Sequence, residues 1–170
     1  MEDTTGFLPG RDQESRGIVQ AGRAMLDAII DLRVPRFLLI IRNAFGGAYA
    51  SYNNYPTGAD FVVALPTTRV AVMGPAGVDY VYKDELKKIR TSLAERIANE
   101  AKAQQAQGLS AEQAHESAQA LVKAWAKEQE AELAQRYERE IMNPEEALSL
   151  GSISQIVMPE DLRQVVTEHL

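Results

Sequence analysis

The residues best suited to chemistry lie in Asn43-Ala44-Phe45-Gly46-Gly47-Ala48-Tyr49, just after the apolar run Phe37-Leu-Leu-Ile-Ile41. Glycine has no Cβ, so the chain can turn sharply at Gly46-Gly47 and bring its N–H groups close to a ligand. An apolar strand that ends in two glycines and continues into small residues is expected to turn directly into a helix. The first N–H groups of a helix have no intrahelical acceptor, and the helix dipole there favours negative charge. Such donors suit an oxygen that gains negative charge during a reaction. The segment is a candidate oxyanion hole made of backbone, and a purely structural Gly-Gly turn is the alternative reading. Tyr49, Tyr52 and Tyr55 recur every three residues beside it, as packing groups or as the wall of a ligand slot.

No side-chain constellation competes with this turn. His115 sits among alanines and acids, and His169 is next to last; neither has a serine or acid arrangement resembling a triad, so both read as surface residues. Glu85, Glu95, Glu112 and Glu116 are spaced like solvated helix faces rather than metal ligands. With no cysteine there is no disulfide, no thiolate metal site and no cysteine nucleophile, which fits a reducing cytoplasm. Gly6-Phe-Leu-Pro-Gly10 lacks the terminal Gly-Lys-Ser/Thr of a phosphate loop. Any chemistry therefore falls to backbone donors.

A chain of 170 residues is long enough for a domain with a real core, one that buries about 70% of the unfolded chain's surface. A formal charge of −6 with no sustained basic cluster argues against nucleic acid and anionic membranes as main partners. There is no N-terminal apolar signal region and no stretch of membrane-spanning length, so the expectation is a soluble cytoplasmic protein.

The chain divides in three: 1–84, 85–141 and 142–170. In the first part, Ile18, Ala21, Met25, Ile29 and Leu32 share a face at helical spacing, and Val34-Pro35 ends that helix. Phe37-Leu-Leu-Ile-Ile41, Phe61-Val-Val-Ala-Leu65 and Arg69-Val-Ala-Val-Met73 read as strands, and Gly74-Pro75 opens a helix. Strands alternating with helices predict an α/β layered domain with a largely parallel sheet. Residues 85–141 are rich in Ala, Glu, Lys, Arg and Gln and contain no proline. Leu86, Ile89, Leu93 and Ile97 form one narrow stripe. After Gly108, the capping box Ser110-Ala-Glu-Gln113 starts a second helix carrying Val122, Ala126, Leu133, Tyr137 and Ile141. The prediction is an inserted long α-helical hairpin with a thin apolar seam. In 142–170, Asn143-Pro144-Glu145-Glu146 caps a short helix ended by Gly151, Ile153-Ser-Gln-Ile-Val157 is a short strand, and a last helix begins at Pro159.

Several motifs in fixed order now carry a resemblance: Gly6-Phe-Leu-Pro-Gly10, Gln13-Glu14, Gly17-Ile18, Gly22, Val34-Pro35, Ala44-Phe-Gly-Gly-Ala-Tyr49, Pro66-Thr67 and Ala71-Val-Met-Gly74. Over about residues 3–84, and again loosely in 143–156, the chain resembles the C-terminal half of the carboxyltransferase (β) component of biotin-dependent acyl-CoA carboxylases and decarboxylases. The resemblance implies a crotonase (ClpP-like) fold, a β-β-α superhelix. It implies that carboxybiotin releases CO2, that the biotin nitrogen takes the α-proton of the acyl-CoA, and that the enolate captures CO2. The amides of Gly47 and Ala48 would then be the oxyanion donors to the biotin ureido oxygen, and Gly46, Tyr49 and Ala50 would line the substrate. Biotin on a carrier protein or domain is the implied cofactor and acyl-CoA the implied substrate, with no metal bound by this chain.

The implied partners are an N-terminal carboxyltransferase half, a biotin carboxyl carrier protein or domain, and a biotin carboxylase, in a homo- or hetero-oligomer. Without that N-terminal half, which carries the thioester oxyanion site, the chain is expected to be inactive alone. Ala50 stands where propionyl-CoA enzymes of the family carry an aspartate, at a position associated with acyl-chain selection. The hairpin is also longer than expected for the propionyl-CoA type. A glutaconyl-CoA-type decarboxylase subunit, running the transfer from acyl-CoA to biotin, is therefore the alternative, and a non-catalytic assembly or binding module a third reading.

Overall fold

A computed structural model describes residues 1–8 and 10–169; Pro9, inside the 6–10 motif, lies outside them. The chain forms two compact units, Met1–Gly74 with Glu138–Leu170, and Pro75–Tyr137. The first is built on a parallel sheet. Strand β1 is Glu2–Thr4, β2 Phe37–Phe45, β3 Phe61–Ala64, β4 Arg69–Ala71 and β5 Gln155–Ile156. The order is β1-β2-β3-β5, with β4 also paired to β2, and all the pairings are parallel. Ala44 pairs with Thr4 of β1 and with Val70 of β4, so those two strands lie on opposite edges of β2. β3 takes residues 37–40 and β4 takes residues 43–45. β3 and β4 thus lie end to end along one edge of β2. Between them the chain turns at residues 65–68, where the Leu65 N–H and the Thr68 hydroxyl both donate to the Ile40 carbonyl at 3.2 Å.

Both faces of this sheet are covered, which explains why the strands read as continuous apolar runs. Leu38, Ile40, Ala44, Val62, Ala64 and Val70 join Ala147 and Ile153 in one core, with Tyr49 and Tyr55 packed against it. Leu39 and Val63 point the other way, onto Val157 and Val165. Val62, Val63 and Ala64 are all fully buried. Each valine removed from water contributes about 1.5–3 kcal/mol.

Helices connect the strands. After α1 (Arg11–Ser15), α2 (Ile18–Ile30) starts at Gly17, which has φ +84°. The first turn after Pro35 is held by Arg36, whose guanidinium donates to the carbonyls of Ile29 (2.7 Å), Thr57 (2.8 Å) and Gly58. Helix α3 (Gly46–Ser51) follows β2 with no intervening residue. In the second unit a 3-10 turn over Pro75–Gly77 leads into α4 (Val78–Val81), α5 (Lys83–Ala106) and α6 (Ala111–Glu140). The expected strand at 69–73 is shorter than its apolar pattern, ending at Ala71 and leaving Val72 and Met73 exposed.

The seam of the second unit is finer than the aliphatic stripes suggested. Ala101, Ala114, Ala118 and Val122 are buried, whereas Ile89, Leu93 and Ile97 are only half-buried. Alanine allows close helix approach but buries little area. Polar and aromatic contacts add to the seam: Arg96 stacks 3.8 Å over Trp125, Arg90 pairs with Glu130, and Tyr82 meets Tyr137 edge-on at 6.5 Å. The Ser110–Gln113 capping box is formed, and Gly108 turns the chain with φ +99°. The chain re-enters the first unit through α7 (Pro144–Ser149), capped by Asn143 Oδ1, which accepts from the Glu146 N–H at 2.6 Å. Helix α8 (Leu162–His169) follows β5.

Arg90 and Glu130 stand side by side, so a short glycine–serine linker can replace residues 91–129. The two sheet cores contain no residue of that segment. The shortened protein is therefore expected to keep a cooperative thermal transition in circular dichroism and the native sheet signal. A chain that loses its cooperative melt would show that the hairpin supplies part of the sheet's core.

Candidate active site

The turn at the end of β2 is built from the strand upward. Parallel pairing with β4 fixes residues 43–45, and Phe45 is extended at φ −115°. Gly46 then takes φ +62°, a left-handed conformation that side chains rarely adopt. A Cβ there would also stand 3.0 Å from the Val72 carbonyl oxygen. Gly47 has an ordinary backbone, and its Cβ would meet the Phe7 ring at 3.7 Å. The same ring would lie 3.1 Å from a Cβ on Gly22 of α2. Phe7 thus sits against both glycines: the contact is tight for a Cβ at position 22, whereas at 47 it is ordinary van der Waals distance.

Helix α3 begins at Gly46 and has no side-chain cap, so its first amides, those of Gly46, Gly47 and Ala48, are not answered by a capping oxygen. Gly47 is exposed, while the Ala48 side chain is buried at 2% exposure. The Ser51 hydroxyl donates to the Gly47 carbonyl at 2.9 Å and so ties the helix's single turn together. Beside the turn is a pocket of about 470 Å³. Gly46, Gly47, Tyr49 and Ala50 form one side and Val70, Ala71 and Val72 another, with Ile141, Glu146, Ala147, Leu150 and Ser152 completing it. Its walls are mostly apolar, and Glu146 is the one carboxylate among them.

Tyr49 crosses this pocket wall and donates from its hydroxyl to the Ser152 carbonyl at 3.1 Å. Burial pushes the phenol up to about 12, and the charge of Glu2 adds to that shift. Tyr49 is therefore a fixed, protonated wall at neutral pH and not a base. Tyr55 bonds to Ser154 Oγ instead, and Tyr52 is exposed. Gly46, Gly47, Ala48, Tyr49 and Ala50 thus come together at one end of β2. Among the residues set aside, His115 and Glu85, Glu95, Glu112 and Glu116 are exposed on the second unit. His169 stacks on the Phe61 ring at 3.7 Å.

Two contributors escaped the sequence reading. Strand β1, Glu-Asp-Thr, has no apolar signal, yet it pairs with β2. Asp3 accepts from the Asn43 N–H (3.1 Å) and from Arg42 (2.7 Å), and the Arg42 bond first of all holds its carboxyl below the usual range. Glu2 lies fully buried beside it. No local pattern in the sequence flags these acids, because their strand partner begins only at Phe37.

The parallel sheet, with its central strand passing through Gly46 into an uncapped helix, fits the crotonase-like layout that the sequence resemblance implied. The profile described as carboxyl transferase domain matches residues 1–170, and the chain belongs to that family. It is 47% identical over 88 residues to a putative propionyl-CoA carboxylase beta chain of Bacillus subtilis (strain 168), over 51% of this chain and 17% of that one. It is 45% identical over 86 residues to the methylmalonyl-CoA decarboxylase subunit alpha of Propionigenium modestum, over 50% of this chain and 17% of that one. Among solved structures, transcarboxylase 12S, a hexamer crystallised with methylmalonyl-coenzyme A and methylmalonic acid, superposes with a TM-score of 0.70 at 26% identity. That match covers 99% of this chain and 26% of the transcarboxylase chain. The chain therefore spans about a quarter or less of the length of these relatives.

The geometry separates the two glycines. Gly46→Ala is expected to lower stability by about 1–3 kcal/mol, because the backbone is strained for any Cβ there. Gly47→Ala is expected to change it by less than about 1 kcal/mol. Chemical denaturation of both variants measures the difference, and equal costs would mean that the turn is not held as described.

Proposed function

We propose that the chain is the C-terminal carboxyltransferase domain of a biotin-dependent acyl-CoA enzyme, moving a carboxyl group between carboxybiotin and the α-carbon of an acyl-CoA. The observation that carries the proposal is the uncapped start of α3 beside a largely apolar pocket. Backbone donors next to apolar walls suit a ring that is apolar except for one oxygen. The Gly47 and Ala48 amides would donate to the ureido oxygen, and Gly46 would set their direction. Tyr49 would close one side, its proton retained by burial. When bound, biotin supplies the carboxyl group and the basic nitrogen. The chain's own part is then to orient the ring, keep water from it, and stabilise the negative charge on its oxygen. This division of labour accounts for a pocket wall with no histidine.

Ala50, at the pocket wall, would present a methyl group to the acyl chain and so favour an uncharged acyl group. An N-terminal carboxyltransferase half, a biotin carrier and a biotin carboxylase would complete the reaction. The likeness to a methylmalonyl-CoA decarboxylase subunit supports a second reading, in which the transfer runs from acyl-CoA to biotin. The same turn serves both directions, because the charge on the ureido oxygen is common to them.

Ala48 provides the test. In an enzyme assembled with both carboxyltransferase halves, Ala48→Pro removes one donor and is expected to cost about 10²–10³ in transfer rate. Ala48→Ser keeps the N–H and is expected to retain most of the activity. Circular dichroism and thermal melts establish that both variants are folded. A folded Ala48→Pro enzyme that transfers carboxyl groups at the wild-type rate would make the turn structural only.

A further inference from the structure

Glu2 is an unusual residue to find inside this sheet. It is fully buried, and neither of its carboxyl oxygens has a hydrogen-bond partner among the described residues. It pairs in register with Ile40, which belongs to the core against which Tyr49 and Tyr55 pack. Helix α3 packs on β1 as well as on β2. The carboxyl group therefore lies beneath the helix that begins with Gly46 and Gly47.

We propose that Glu2 is a positioning residue: its neutral carboxyl lets β1 seat α3 and Tyr49 at the pocket, and its ionisation sets an alkaline limit on the site. The link to carboxyl transfer rests on the function proposed above, but the protonation state does not. An unpaired carboxylate costs far more to bury than a carboxylic acid, so the folded chain keeps the proton. Burial pushes the group up to about 8. Among the described residues, the groups that face Glu2 leave both of its carboxyl oxygens unpaired. From α3 comes Tyr49, itself held protonated and coupled to Tyr55. From β2 comes apolar Ile40, while Arg42, the nearest cation on that strand, is taken by Asp3.

The sign of the pH dependence follows. In the unfolded chain the carboxyl ionises near its ordinary value of 4.5, whereas in the folded chain it does so near 8. Between these values the unfolded state loses its proton and the folded state does not, so stability falls as pH rises through this window and levels off above it. Once Glu2 ionises in the fold, a charge stands beside the Tyr49 phenol, and α3 must lift to admit water.

Three measurements on the full chain test this. In wild type, the side-chain carbon of Glu2, followed by NMR, should titrate well above the ordinary carboxylate range; a midpoint within that range would overturn the proposal. The melting temperature of wild type should fall between about pH 5 and pH 8, and that slope should be absent in Glu2→Gln. Parallel pH profiles would count against it. In the assembled enzyme, Glu2→Gln should move the alkaline limb of the transfer rate upward; an unmoved limb would leave Glu2 without a positioning role. If no carboxyl transfer is found at any pH, the proposed function fails, while the NMR and melting data still decide the state of Glu2.

Discussion

Strand β2 carries the constraint on which the rest of the first unit depends. One continuous strand from Phe37 to Phe45 is hydrogen-bonded to β1 along one edge and to β3 and β4 in succession along the other. Because β4 grips residues 43–45, the chain cannot drift before it turns. The turn direction is then set by Gly46, where a left-handed backbone and the nearby Val72 carbonyl make any side chain strained. The orientation of the α3 amides is thus a consequence of the sheet pairing at residues 43–45, immediately upstream of Gly46.

The chemistry that such a turn supports differs from that of a side-chain site. Amides hold no proton that titrates in the working range, and they cost no reorganisation when charge appears on a nearby oxygen. In the function proposed above, a pocket with one carboxylate, one high-pKa phenol and otherwise mostly apolar walls would leave proton transfer to the bound groups. The chain's contribution under that proposal would be direction and dryness. Those qualities reside in packing: Phe7 against Gly47 and Gly22, Tyr49 against Ser152, and Asn143 capping the helix that supplies Glu146.

Much of this was legible in the residues. The parallel sheet followed from apolar runs separated by helical patterns, the sharp turn from Gly46-Gly47, and the caps at Ser110 and Asn143 from their spacing. The illegible parts share a cause. Glu2 and Asp3 form a strand through pairing alone, against their propensities, because the edge of β2 requires a partner. The helical seam depends on alanines, whose small side chains give a weak hydrophobic pattern but a close approach. Arg36 looks like a surface residue in the sequence, yet it ties three carbonyls together where α2 ends. In each case a tertiary neighbour decided what local pattern left open.

The central claim is that the amides after Gly46 hold a single ligand oxygen. A crystal structure of the assembled enzyme with biotin bound addresses it most directly. The account predicts the ureido oxygen at about 2.7–3.1 Å from the backbone nitrogens of both Gly47 and Ala48. A ureido oxygen held by a side chain, or turned to solvent away from the start of α3, would contradict it.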